Sequence, residues 1–174
     1  MWVGVNDLVR YDPDSNTYIR YFHDPEVLNS PSGNSITGEI VEDSTGRLWF
    51  ADSFKGLTSF DPMTQTFNHY RHDPANPNSI GSNRLFTLYQ DRGGIIWAAS
   101  YDNGLSKFDP HSLTFGHYKH DPNDPNSLSS HFYGIFAEDQ NGQLWVAGNG
   151  LSKIDRSSGI VSDYQHDPDN PASL

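Results

Sequence analysis

Residues 72–83 read HDPANPNSIGSN, and residues 120–131 read HDPNDPNSLSSH. Neither stretch suits a regular element. Proline fixes φ and removes a backbone donor. Asp and Asn ahead of proline open turns by bonding to nearby backbone groups. The recurrence says more than the composition. His-Asp-Pro begins at His23, His72, His120 and His166, at separations of 49, 48 and 46 residues. Tryptophans stand at Trp2, Trp49, Trp97 and Trp145, separated by 47, 48 and 48. Two independent markers with one period define a tandem array.

Aligning the copies yields a unit of four short runs. The first is TGEIVED (37–43), LFTLYQD (85–91) or YGIFAED (133–139). A glycine turn follows, then a tryptophan run: RLWFAD, IIWAAS or QLWVAG. The third run begins Gly-Leu: GLTSFDP, GLSKFDP or GLSKIDR. The last ends at the histidine: TFNHYRH, TFGHYKH or IVSDYQH. Runs of this length, rich in aromatic and β-branched residues and bounded by Gly, Asn, Asp and Pro, are strands. No window sustains a 3.6-residue apolar period, so essentially no helix is expected.

Four strands in about 48 residues is the arithmetic of a β-propeller blade. The run IIWAA is apolar throughout, which requires burial on both faces, as between two neighbouring blades. The twelve-residue stretch then carries the chain from the outermost strand of one blade to the innermost strand of the next. It crosses the end of a four-stranded sheet, about 15 Å at roughly 4.8 Å per strand. The expected fold is an all-β propeller segment of about four blades of four antiparallel strands, the first lacking its innermost strand. Its repeats span approximately residues 1–33 (partial), 34–82, 83–130 and 131–174. The chain reads as a piece of a larger ring, with Met1 as an added start.

The combination of Gly-x-Leu-Trp, Gly-Leu-x-x-Phe-Asp and His-Asp-Pro at fixed spacing, from Trp2 to Leu174, resembles the two-component-regulator propeller repeat. Where that repeat usually has Gly-Thr, this chain reads Ala51-Asp52, Ala99-Ser100 and Gly148-Asn149. The resemblance implies the extracytoplasmic sensor region of hybrid histidine kinases and related bacterial receptors. It implies a periplasmic or extracellular location and a membrane-anchored parent. It also implies binding without catalysis, although lyases resembling this propeller class exist and fold alone does not settle function.

The formal charge of −11 argues against nucleic acid or an anionic membrane surface as partner. There is no cysteine from which to read a redox compartment. The N-terminus MWVGVNDLVR carries no signal-peptide apolar core, and the longest apolar runs are too short to cross a bilayer.

Eight histidines and twenty-two carboxylates invite a metal reading. One histidine per blade at the outer rim, however, places the four too far apart to share an ion at about 2 Å. They are expected to cap strand ends, with the following Asp opening an Asx-turn. Asp43, Asp91 and Asp139, beside the turn glycines, and Asp61 and Asp109 of Phe-Asp-Pro are expected to be structural too. No catalytic residue, metal site or cofactor is expected. Positions that differ between copies while sharing one rim are free to serve a ligand. These are Phe54, Lys55, Arg84, Phe86, Tyr101, Asp102, His131, Phe132, Tyr133 and Asn149. Rings that stack beside groups that orient suit an oligosaccharide or small polar ligand. The remaining partners expected are further blades of a parent ring or a second copy of the chain. The alternative role is a structural or dimerisation scaffold.

Overall fold

The computed structural model describes residues 1–4, 6–131 and 134–174. Fifteen strands form four antiparallel sheets, and the described residues include no helix. The first sheet has three strands, β1 (Trp2–Gly4), β2 (Leu8–Asp12) and β3 (Thr17–Tyr21). The second is β4 (Ile36–Glu42), β5 (Leu48–Asp52), β6 (Gly56–Asp61) and β7 (Thr66–Tyr70). The third is β8 (Leu85–Gln90), β9 (Ile96–Ser100), β10 (Leu105–Phe108) and β11 (Phe115–Tyr118). The fourth is β12 (Ile135–Glu138), β13 (Leu144–Gly148), β14 (Gly150–Ile154) and β15 (Val161–Tyr164). Each sheet is a plain meander in chain order, as expected of propeller blades.

The blades stack face to face. β1 lies against β4, and β8 lies against both β4 and β5. Trp49 and Trp97 are buried, at 0% and 1% exposure, in separate inter-blade clusters. Trp49 packs against Phe108 of the next blade, ring centres 5.0 Å apart. Trp2 and Trp145, on the first and fourth blades, are only half-buried. The inner strands approach closely because β4 carries a bulge between Thr37 and Val41. A Cβ on Gly38 would stand 2.6 Å from the Thr87 Cα, and its φ of +66° suits glycine. Thr37 Oγ1 then donates to the Leu85 carbonyl across the interface, at 3.2 Å.

The proline-rich connections are folded objects. The ring Nδ1 of His23, His72, His120 and His166 meets the carbonyl eight residues on, at 2.7, 2.9, 2.6 and 2.7 Å. In the second connection, the Asp73 amide donates to Ser79 Oγ at 2.9 Å, and that hydroxyl donates back to the Asp73 carbonyl at 3.1 Å. Asp73 Oδ1 takes the Ala75 amide, and Asn76 Oδ1 takes the Asn78 amide, forming two successive Asx-turns. The other connections repeat the Ser clamp and the first Asx-turn. The Asp behaves as expected. The His does more than cap a strand end, because it ties the two ends of the connection together.

Candidate functional site

Two ends of the strands offer surfaces. At one end lie the β5–β6, β9–β10 and β13–β14 turns together with the lead-in to each innermost strand. The ten variable positions are expected at this end, and the structure brings Arg84, Phe86, Tyr101 and Asp102 together. Arg84 comes from the lead-in to β8, and Phe86 from the irregularity between Leu85 and Thr87 at the start of that strand. Tyr101 and Asp102 come from the β9–β10 turn. The Tyr101 amide donates to the Arg84 carbonyl at 2.9 Å, which pins the two segments side by side. The Arg84 guanidinium stands 3.3 Å from Asp102 Oδ2 and lies over the Tyr101 ring, 5.8 Å from its centre. Phe86 meets Tyr101 edge-on at 5.3 Å. Ser82 Oγ donates to the other Asp102 oxygen at 2.7 Å.

The turn has this shape because Gly104 holds a φ of +70°, where a Cβ would stand 2.3 Å from the Tyr118 carbonyl. Gly56 and Gly150 make the same approach in their blades. A groove of about 440 Å³ opens beside the cluster, lined by His72, Ser82, Asn83, Arg84, Asp102 and Asn103. Volumes of roughly 300–1,000 Å³ suit small ligands.

Of the other six positions, four are described. Phe54, 67% exposed, and Lys55 form their own pair on the β5–β6 turn, their amides both donating to Asp52 Oδ1. Asn149 is exposed alone on the β13–β14 turn. The His131 carbonyl accepts from the Gly104 amide at 2.8 Å, and its ring meets His120 edge-on at 5.1 Å. Phe132 and Tyr133 lie outside the described residues.

At the opposite end each turn carboxylate organises its blade. Asp91 Oδ1 accepts the Gly93 and Ile95 amides at 2.9 and 3.1 Å, and Oδ2 accepts the Trp97 indole N–H at 2.9 Å. Asp43 and Asp139 do the same for Trp49 and Trp145. Asp43 and Asp139 sit below the usual carboxylate range: burial pushes Asp43 up, but the Thr45 hydroxyl, the Trp49 indole and the turn amides outweigh it, and the Trp145 indole leads in lowering Asp139. Asp61 and Asp109 each accept backbone amides in their own turns and are lowered by them.

Sequence reasoning missed an ion network between blades three and four. Arg156 occupies the place of Pro62 and Pro110 in the other copies. It reaches Asp91 of the preceding blade at 2.6 Å and Glu138 at 2.8 Å. Arg92 meets the second Glu138 oxygen at 3.3 Å. The signal was present: in an array, a charged residue where sister copies have proline marks a copy-specific role. Among the described residues, no three histidine or acidic side chains stand close enough to hold a metal ion.

No protein-family model and no curated protein matches the chain. Solved structures do. The extracellular domain of a protein described as a hybrid two-component system, from B. thetaiotaomicron, is similar at TM-score 0.80 and 23% identity, over 95% of this chain and 23% of its own. That of a second such protein from the same organism gives 0.71 and 24%, over 93% and 23%. Virginiamycin B lyase from Staphylococcus aureus gives 0.65 and 16%, over 96% and 50%. The chain thus spans 23% of the length of either extracellular domain. In fold, it is a segment of β-propeller like that in the extracellular domains of two-component proteins.

Proposed function

We propose that this chain is part of an extracytoplasmic sensor propeller that binds a small polar or carbohydrate ligand without chemistry, at the β9–β10 turn. The observation that carries the reading is the convergence of Arg84, Phe86, Tyr101 and Asp102 beside an open groove. The aromatic edge offers a stacking surface, while the Arg84–Asp102 pair offers donors and an acceptor in fixed orientation. Asp102 is already engaged by Ser82 and Arg84, which suits orientation better than proton transfer. The likeness to extracellular domains of two-component proteins supports the location and the signalling role.

A second reading is a scaffold that associates through its outer blades. It is favoured by the half-buried Trp2 and Trp145 and by the three-stranded first sheet. A thermal-shift and calorimetric screen against neutral and acidic oligosaccharides separates the two. The sensor reading expects saturable binding that Tyr101→Ala and Asp102→Ala weaken at least tenfold. Binding unaffected by both variants would move the site elsewhere.

A further inference from the structure

The three inter-blade interfaces are built from the same repeat positions, but the side chains at those positions differ. Between blades two and three, Leu113, Phe108 and Phe115 join the cluster around Trp49, and Ser59 is fully buried. Between blades three and four the corresponding residues are Gly159, Ile154 and Val161, and Lys107 stands at the Ser59 position. Three side chains have shrunk and one has become a cation. A cavity of about 520 Å³ opens between these blades at the end of the strands away from Tyr101. Its walls include Trp97, Lys107, Phe108, Asp109, Arg156 and Ser157.

The charges in this cavity are unevenly matched. Arg156 is held by Asp91 and Glu138. Asp109 accepts from the His111 amide and ring. Lys107 has no carboxylate within 4 Å among the described residues. Its Nζ donates to the Tyr118 hydroxyl at 3.1 Å and lies over the Trp97 and Tyr118 rings, 5.5 and 5.1 Å from their centres. An ammonium has three donors and prefers an anion to a phenol. Aromatic faces hold it in place without neutralising it. The same side chain in blade four, Lys153, lies over Trp145.

We propose that this cavity is a second ligand site, separate from the groove beside Arg84 and Asp102, that takes a small organic carboxylate. Lys107 Nζ binds its anion, and its ring or apolar body lies against Ile95, Trp97 and Phe108. The hydroxyl of Ser157 and the Asp109 carboxylate border the same space and can meet hydroxyls on the body.

The test uses the whole 174-residue chain, with glucuronate and benzoate as probes and inorganic sulfate as the bare-anion control, read by calorimetry and by chemical shifts. The expected result is saturable binding of one carboxylate or both, weakened at least tenfold in Lys107→Met, which keeps the stem over Trp97. Preference for glucuronate marks a saccharide body, and preference for benzoate an aromatic one. Thr114→Trp, on the cavity wall, should weaken binding at least tenfold by filling the space. Circular dichroism on both variants confirms the fold. Tyr101→Ala should leave this binding unchanged, so failure here is distinct from failure at the other face. No saturation by either carboxylate up to 10 mM (roughly −3 kcal/mol) overturns the proposal. So does sulfate binding as well as the organic anions, or equal binding by the folded Lys107→Met variant.

Discussion

The Trp49 indole N–H donates to Asp43 Oδ2 at 2.7 Å, and both residues are buried, six positions apart on one hairpin. The other Asp43 oxygen accepts the Thr45 and Arg47 amides and the Thr45 hydroxyl. One carboxylate therefore satisfies the turn and the core ring together. Asp43→Ala leaves a buried indole donor and two turn amides without acceptors. It should destabilise the chain by about 2–3 kcal/mol, the cost of orphaned donors that had a charged partner. Urea unfolding followed by tryptophan fluorescence checks this.

Arg156 and Arg20 give an internal contrast. Arg156 neutralises Asp91 and Glu138, whose side chains are 0% and 3% exposed. Arg156→Met strands buried charge, and with Arg92 still on Glu138 the loss should be about 2–3 kcal/mol, less than a fully buried pair. The Arg20–Asp7 pair joins β3 to the β1–β2 turn with Arg20 58% exposed. Arg20→Met should cost under about 1 kcal/mol. Equal losses in the same denaturation assay would contradict this ranking.

Acid sensitivity should arrive in two stages. His69 and His117 are pushed below the ordinary value of 6.5, chiefly by burial. Their rings meet Thr58 and Ser106 hydroxyls at 3.3 and 3.2 Å. A lowered folded-state pKa favours the neutral ring, so this contribution is full above 6.5 and is lost as pH falls through the folded value. Asp155 is lowered from 3.8 to about 2, mainly by the Ser157 hydroxyl. Its contribution is full above 3.8 and is lost as pH falls toward 2. Urea midpoints measured from pH 8 to 2.5 should show a first decline below 6.5 that His69→Asn with His117→Asn reduces. A second decline below 4 should remain.

Tyr101 and Trp97 separate surface from core. Tyr101 is 39% exposed and Trp97 1%. Tyr101→Ala should cost under about 1 kcal/mol, while Trp97→Ala should cost roughly 3–5 kcal/mol through the cavity it opens. Thermal melts of the two variants decide it.

The outer blades should drive association. Ile135 is 71% exposed on β12, and among the described residues β1 pairs with β2 alone. Unpaired strand edges template pairing, and the repulsion of like-charged chains is screened beyond about 8 Å at physiological salt. Light scattering should show mass rising above 19.5 kDa with concentration. A constant 19.5 kDa across the range would sink the expectation.

The blades were legible because a repeat multiplies weak local signals. Any one LWFAD could be misread, but three aligned copies cannot, and the fifteen expected strands appear in the expected sheets. The site was legible only in part. Arg84 and Tyr101 are joined by a backbone bond between two segments, and variation among copies shows that such positions share a rim. It does not show which rim positions touch. Phe54 and Asn149 vary equally yet stand on other turns. Arg156 stands on the opposite rim, and its own copy does not show that it reaches back to Asp91 of the preceding blade. The cavity beside Lys107 joins residues of two blades, Trp97 and Lys107 of one and Arg156 and Ser157 of the next, and no single copy shows that they meet.

The histidine bridge across each connection has a consequence for the shape of the array. Because it closes over eight residues with a serine clamp inside it, the connection takes its form from its own side chains before two blades meet. Four copies at 2.6–2.9 Å make the same step each time. The angle from one blade to the next is thus set by a stiff connector as well as by the core it leads to. Curvature becomes a local property, and the circumference on which such blades can close is written in twelve residues repeated along the chain.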